Sequence, residues 1–359
     1  MSNDVMPLGP RASRRSPKPR KRRRGLKITL GVLLVLLLAA GGTVYWLYSQ
    51  LDGNITGVDI DKALGEDRPE KLPTSGQNLL VLGSDSRAGA ENKELGGGGG
   101  VSGARSDTAM VVHIPDGRSK AVAVSIPRDT LVTRPECVGD NGSTVSAKER
   151  VMFNSVYSQV GPACVVKTVE KMSGVRIDHY LEINFAGFKD LVDAIGGVTV
   201  DVPQDIDDKA SGLSLTAGPQ KLDGTESLAY VRTRHGIGDG SDLGRIGLQQ
   251  QFLMALLSEV KSQDLLGSPA NSYKIAKSAT KSLTTDSGLA SLTSLAEFAR
   301  SMNGVDPASM ETIMLPVAYD KIDKNRVIAA EPQAGQLWKA IREDTAIPEE
   351  AKKSPATGG

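Results

Sequence analysis

The chain has 359 residues, 24% of them charged, and a formal net charge of +1. That length allows one large domain or two modest ones with a sizeable core. The near-neutral total hides a division, because residues 1–27 carry ten Lys or Arg and one acid, Asp4, while the remainder is net −8. A mildly acidic body excludes a general polyanion binder, so any anion site on it has to be local.

After the basic tail, Ile28–Leu47 runs for twenty residues without a charge. This is enough to cross the hydrocarbon core as a helix, and we place the transmembrane helix at residues 28–48. Tyr45, Trp46 and Tyr48 cluster at its far end, where amphipathic rings favour the interface. The basic block sets a cytoplasmic N-terminus and an extracytoplasmic body. Against a cleaved signal peptide stand the length of the apolar run and the lack of a clear small-x-small site after it. Topology also accounts for the Arg/Lys tail without a nucleic-acid partner. Cys137 and Cys164 fall on the outer side, where a disulfide between them is expected and two free thiols are the alternative.

Residues 49–75 read as a polar linker. Asn78–Gly83 is a continuous apolar run ending in Gly, as in a buried strand, and Ser84-Asp85-Ser86-Arg87 follows it. A Gly-rich loop leads to Arg105-Ser106-Asp107-Thr108, which opens a second strand, Ala109–Ile114. Pro115-Asp116-Gly117-Arg118 is a turn signal, and a third strand, Lys120–Ile126, ends at Pro127-Arg128-Asp129-Thr130. So short a turn makes strands two and three an antiparallel hairpin. If strand one is also antiparallel to strand two, Asp85, Arg105, Asp107 and Arg128 meet at one sheet edge, where α/β sites commonly lie. For any one of them alone, a helix cap or surface ion pair is the simpler account.

Downstream, residues 163–173 read as a helix, Ile177–Asn184 as a strand, Phe185–Ile195 as an amphipathic helix closed by Gly196-Gly197, and Val198–Val202 as a strand. Asp205, Asp207 and Asp208 lack the spacing and closing Glu of a calcium loop and read as a solvated surface. Residues 228–233 read as a short strand, which would turn Arg232 and Arg234 to one side. A Gly-rich loop with Asp239 and Asp242 separates them from Arg245, which begins a helix carrying Gln249–Gln251. Apolar periodicity recurs at 289–302 and 327–342, and residues 346–359 read as a disordered tail. Strand–helix alternation indicates an α/β domain. The three histidines, His113, His179 and His235, share no ligand spacing. A site of Arg and Asp suits phosphoryl transfer: guanidinium forks clamp phosphate, and Asp85 and Asp107 are oxygen donors for a hard divalent cation.

The blocks NLLVLGSDSR (78–87), RSDT (105–108), SIPRDT (125–130), INFAGFKDLVDAIGGVTVDV (183–202), LDGTESLAYVRTRH (222–235) and DLGRIGLQQQ (242–251) resemble the LytR-CpsA-Psr family, in the right order and across about residues 76–260. The resemblance suggests an actinobacterial-type member. It implies a three-layer α/β/α domain with a mixed central sheet, preceded by one membrane helix. It also implies a Mg²⁺-dependent (or Mn²⁺-dependent) phosphotransferase in the cell membrane that moves a polyprenyl-(pyro)phosphate-linked glycopolymer onto peptidoglycan through a phosphodiester. By motif, Asp85 and Asp107 match the metal aspartates and, with Arg105 and Arg128, form the catalytic set. Arg105, Arg128, Arg232, Arg234 and Arg245 match pyrophosphate-binding arginines, and Arg87, Asp242 and Gln249 join the substrate-binding set. The prenyl tail would lie in an apolar tunnel that the Phe185–Ile195 helix lines, unless that face is ordinary core. Two departures stand out: Leu248 replaces an Arg that the family often has, and an extra Gly-Asp-Gly surrounds Asp239. The catalytic domain is thus expected at 76–260, with a helical C-terminal part at 261–345. The alternatives are a polyprenyl-pyrophosphate pyrophosphatase and a non-catalytic regulator that binds anionic polymer.

Overall fold

The computed structural model describes residues 22–72, 74–84, 106–118, 120–139, 142–209, 211–233, 242–262, 268–302 and 304–357, with the backbone alone for 22–26, 107 and 242. The chain divides into two units, Met1–Gln50 and Leu51–Gly359. The first contributes helix α1, Arg22–Asp52, whose last two residues belong to the second. Its stretch Lys27–Asp52, 26 residues, is long and apolar enough to cross a membrane, and its side chains are exposed from Lys27 to Trp46. At 1.5 Å per residue it extends about 39 Å, more than a hydrocarbon core needs.

The second unit is built on one mixed sheet of seven strands. In chain order these are β1 (Thr56–Val58), β2 (Gln77–Ser84), β3 (Ser106–Ile114), β4 (Val122–Ser125), β5 (His179–Asn184), β6 (Leu283–Asp286) and β7 (Glu311–Met314). Their spatial order is β1-β6-β5-β2-β3-β4-β7. β2 runs parallel to β5 and antiparallel to β3, which is antiparallel to β4. β7 lies parallel to β4 at one edge, and β1 parallel to β6 at the other.

Alternation along the strands divides the apolar side chains between two faces. Leu80 and Leu82 of β2, Val111 of β3, Val122 and Val124 of β4 and Tyr180 of β5 form the larger core with three helices. These are α2 (Phe153–Val160), α3 (Pro162–Ser173) and, from the end of the chain, the helix Gln333–Arg342. The opposite layer begins with α4 (Phe185–Ile195), which Asn184 caps by accepting from Gly187 N at 2.8 Å and Gly196 closes at φ 89°. It continues through α5 (Gly224–Arg232) and α6 (Asp242–Ser262), then α7 (Pro269–Ser282) and α8 (Leu292–Ser301). Val192, Ile195, Tyr230, Leu248 and Phe252 form a second core with the Val198–Val202/Gly218–Leu222 hairpin, and Ile114, Ala121 and Ala123 meet α6 and α8 in a third. Helices on both faces of one sheet make a three-layer α/β/α domain. Gly187 permits a close approach of α4 and α7, since a Cβ there would lie 2.6 Å from that of Ser282.

The structure corrects five readings made from the sequence. Residues 228–233 are not a strand: α5 runs to Arg232, started by a capping box in which Asp223 accepts from Thr225 N and Glu226 N, and Glu226 accepts from Asp223 N. Residues 49–75 are not merely a linker, because β1 joins the sheet and Ile60 and Leu64 of a one-turn helix enter the core. The C-terminal part is not only helical, because it supplies β6 and β7. The tail is ordered through residue 357, with Ala351 buried and the buried Ser354 Oγ accepting from Val317 N at 3.1 Å. The acidic stretch is also less exposed than read: Ile206–Asp208 pairs with Leu213–Leu215, and Asp208 is buried. Cys137 and Cys164 are disulfide-bonded, with a Cα separation of 5.6 Å.

Candidate functional site

The strand directions bring four chain segments to one edge of the sheet. β2, β4 and β5 end there and β3 begins there, with Ser84 paired to both Ser106 and Asn184. The β2–β3 register is irregular at this point. Gly83 faces Thr108 and Ser84 faces Ser106, so Asp107 has no opposite residue. A bulge of this kind takes a residue out of the ladder and re-aims it, and is frequent next to active sites. On the other side of β3, Ser125 faces Met110 and Ile126 N donates to Ala109 O at 2.8 Å, so the chain heads toward Asp107 as it reaches Arg128.

Arg128 sits in a tight turn, its side chain 18% exposed and its Nε 3.6 Å from Asp129 Oδ2. Its carbonyl accepts from Asn154 N at 3.1 Å and that of Thr130 from Phe153 N at 2.9 Å, so this turn is joined to the start of α2. Under the same end of the sheet, the buried Glu182 accepts from Tyr157 and Tyr180 hydroxyls at 2.7 and 2.5 Å.

Arg232, exposed at the last position of α5, lies over the ring of Phe185 at 4.7 Å, and Phe185 directly follows the end of β5. A cation over a ring face holds a guanidinium without consuming its hydrogen bonds. α6 joins the two arginine-bearing segments. Arg245 and Gln249, one turn apart, are both buried, and Gln249 Nε2 donates to Val231 O at 3.1 Å. Gln250 Nε2 donates to Ser125 Oγ at 3.1 Å, at the end of β4. Gln251 contacts the third element, donating to Asp201 O and accepting from Tyr230 Oη at 2.9 Å. Burial, then Asp201, pushes the Tyr230 phenol up to about 12, so it remains a donor at any physiological pH.

Among the described residues, then, Arg128, Arg232, Arg245 and Gln249 belong to segments converging on one edge, and Asp107 lies there by its backbone. Asp85, Arg87, Arg105, Arg234, Asp239 and His235 lie outside the described residues, as does the side chain of Asp242. Leu248 is no substitute contact: it is buried in the core beside Tyr230 and Phe252. The other two histidines are structural, His113 buried between Asn78 Oδ1 and Asp344 Oδ1 at 2.8 and 3.1 Å, and His179 paired with Asp286 at 3.3 Å. Sequence reasoning missed Asp129 and Gln250, although the amide run on an amphipathic helix gave a partial signal for the latter. Among the described residues no three His, Cys, Asp or Glu side chains group as a metal centre. In sequence, Asp85 follows Ser84 and Asp107 follows Ser106, the two residues that pair at this edge. One further feature lies on the sheet face opposite the larger core. Val81 of β2 and Leu181 and Ile183 of β5 are half-buried although their strands are central, with Val81 facing Leu181 in register.

This fold, with an arginine-lined edge at the strand ends, defines a known class. The sequence model of the LytR_cpsA_psr family matches residues 47–343, and the chain belongs to that family. It is 34% identical over 262 residues to the probable cell wall biosynthesis protein LcpB of Corynebacterium glutamicum, covering 72% of this chain and 58% of the relative. It is 32% identical over 258 residues to the polyisoprenyl-teichoic acid–peptidoglycan teichoic acid transferase TagU of Oceanobacillus iheyensis, covering 70% of this chain and 74% of that one. The chain spans little more than half the length of the corynebacterial relatives LcpB and LcpA. Among solved structures, TagV of B. subtilis superposes with TM-score 0.58 at 26% identity over 77% of this chain and all of that one. A LytR-Csp2A-Psr enzyme from Actinomyces oris gives TM-score 0.59 at 24% identity over 80% and 95% of the two chains, a likeness of fold. The family span includes β1, β6 and β7, so the domain is wider than the 76–260 block whose motifs carry the resemblance.

Proposed function

We propose that this protein is a membrane-anchored transferase that moves a glycopolymer from a polyprenyl-(pyro)phosphate carrier to peptidoglycan. The observation that carries the reading is the convergence of the Arg128, Arg232 and Arg245 segments on one strand-end edge, in a member of a family that includes named teichoic acid transferases. In the reaction, an acceptor hydroxyl oxygen attacks the phosphorus bonded to the sugar and loses its proton. The bond from that phosphorus to the bridging oxygen of the P–O–P link breaks, and prenyl phosphate leaves with that oxygen. The acceptor's proton passes to the leaving phosphate or to solvent, and a phosphodiester results. The arginines hold the phosphates and take up the charge that develops on the leaving oxygen. Arg245 is buried and therefore acts in a less screened setting than a surface cation.

Mg²⁺ or Mn²⁺ fits the donor chemistry of Asp85 and Asp107, hard oxygen ligands at adjacent strand ends, and when bound would neutralise phosphate charge. Arg87, Arg105, Arg234 and Asp242 complete the proposed substrate contacts by their motif positions. The half-buried strip at Val81, Leu181 and Ile183 supports an apolar course for the prenyl chain. An extracytoplasmic body is supported by the basic tail before the apolar helix and by the disulfide, a bond of oxidising compartments. The test is polymer transfer by the full-length protein with a prenyl-pyrophosphate-linked donor and a peptidoglycan acceptor. Arg128→Ala should abolish transfer while the fold persists. Full transfer by that variant overturns the assignment, and phosphate release that is independent of acceptor replaces it with hydrolysis.

A further inference from the structure

We infer that Arg326 is a positioning residue for Arg128, acting through Asp129, which makes the C-terminal hairpin Val317–Tyr319/Val327–Ala329 a working part of the site. The inference rests on the transferase reading above. The Asp129 carboxylate lies between two guanidiniums, with Arg128 Nε 3.6 Å from Oδ2 and Arg326 Nη1 3.3 Å from Oδ1. The three side chains are 18, 24 and 29% exposed, neither sealed off nor free in solvent.

The hairpin that delivers Arg326 is itself fixed. Its two strands pair in register, Val327 N donates to Asp129 O at 3.4 Å, and Thr130 bridges to Val327. Its tip is closed by Asp320, which accepts from Asp323 N at 2.7 Å and Ile322 N at 3.1 Å, and pairs with Arg150 at 2.8 Å. Asp323 is the other acid near Arg326, 3.9 Å from its Nε. The loop with Arg128 and the residue that steadies it thus come from positions 197 apart in sequence.

The charge order gives this contact a purpose beyond packing. A lone carboxylate beside Arg128 would orient the guanidinium but also repel an incoming phosphate and compete with it. A second cation on the far oxygen offsets that repulsion and leaves the orientation in place. Arg326 therefore lets Asp129 aim Arg128 without cancelling it.

The test uses the full-length protein in detergent, calorimetric titration with geranyl pyrophosphate, and transfer kinetics. Arg326→Gln should weaken probe binding and raise KM about two- to fivefold, with kcat and melting temperature little changed, the scale of one partly exposed charge contact. Arg326→Lys should bind within about twofold of the natural protein, because the charge is kept. Adding Asp129→Asn to Arg326→Gln should recover part of the affinity, because the uncompensated charge is gone while the amide oxygen keeps an acceptor beside Arg128. A purely structural role predicts the opposite, with the double variant no better than Arg326→Gln. Unchanged binding by Arg326→Gln, or a double variant without recovery, overturns the inference alone. A natural protein that fails to bind the probe overturns the transferase reading and this inference with it.

Discussion

At the scale of single residues, the proposed site is a few guanidiniums held by unlike means: Arg128 beside a carboxylate in a turn, Arg232 over an aromatic ring, Arg245 in a buried place. Loss of one preorganised donor costs about 3 kcal/mol of barrier. Arg245→Ala should therefore lower kcat roughly a hundredfold in the transfer assay, provided the melting temperature shows that the fold survives. Leu248 was readable as a departure from the family pattern, but its role was not, because a helix position does not reveal whether it faces a phosphate or a core. It faces the core, so Leu248→Arg should not restore a contact. It should bury an unpaired charge and destabilise the domain by about 3 kcal/mol or more, as a denaturant titration would measure. The place of Asp107 was half legible. The short turn at 115–118 fixed which strand ends meet, while the bulge that removes Asp107 from the ladder has no signature in RSDT. Asp107→Ala keeps the extra residue and removes only its carboxylate, whereas deleting Asp107 also closes the ladder. Comparing the two variants separates charge from geometry.

At the scale of elements, the misread segment is instructive. Leu-Ala-Tyr-Val-Arg-Thr carries the β-branched and aromatic residues of a strand, yet it is the end of a helix, because Asp223 and Glu226 start that helix at both partners of a capping box. Local propensity was weaker than a cap already visible in the sequence. Asp223→Ala should cost about 1 kcal/mol of stability and reduce binding of the donor, because Arg232 rides on the last turn of the same helix. Circular dichroism with a binding titration checks both. The Cys137–Cys164 bond closes a loop of sequence separation 27 and ties the chain just beyond the Arg128 turn to α3. Cys137→Ser with Cys164→Ser should lower stability by about 3 kcal/mol, read as a fall in melting temperature that reductant reproduces in the natural protein. The cysteines were legible from number and compartment. The short strand β1 was not, because three residues carry no alternation to read.

At the scale of the whole molecule, the sequence motifs traced the middle of the domain and missed both margins. Polar, Pro-containing composition at 49–75 and 346–359 resembles solvent-exposed chain, and only tertiary pairing reveals β1, or Ser354 under Val317. The margin near the site also has a pH signature. The hydrogen bond from Arg150, followed by backbone donors, holds the Asp320 carboxyl at about 2. A depressed carboxyl contributes its stability above its ordinary value and loses it as pH falls through the folded one. The hairpin bearing Arg326 should therefore stay closed at neutral pH and loosen as pH drops from about 4 toward 2. Hydrogen exchange at Ile322 and Asp323 across that range is the measurement, and unchanged protection at pH 2 would contradict it. The sheet order also has a consequence in time. Both outer flanks of the central strands are completed late: β6 must cover β5 and β7 must cover β4, and β1 waits for β6 although it is made first. During synthesis the early strands therefore exist with two open edges until residue 286 is available and with one until residue 314, and open edges pair with other chains. Until β7 has been made, the same four early strands that bring the candidate site together are thus the ones most open to pairing with another chain.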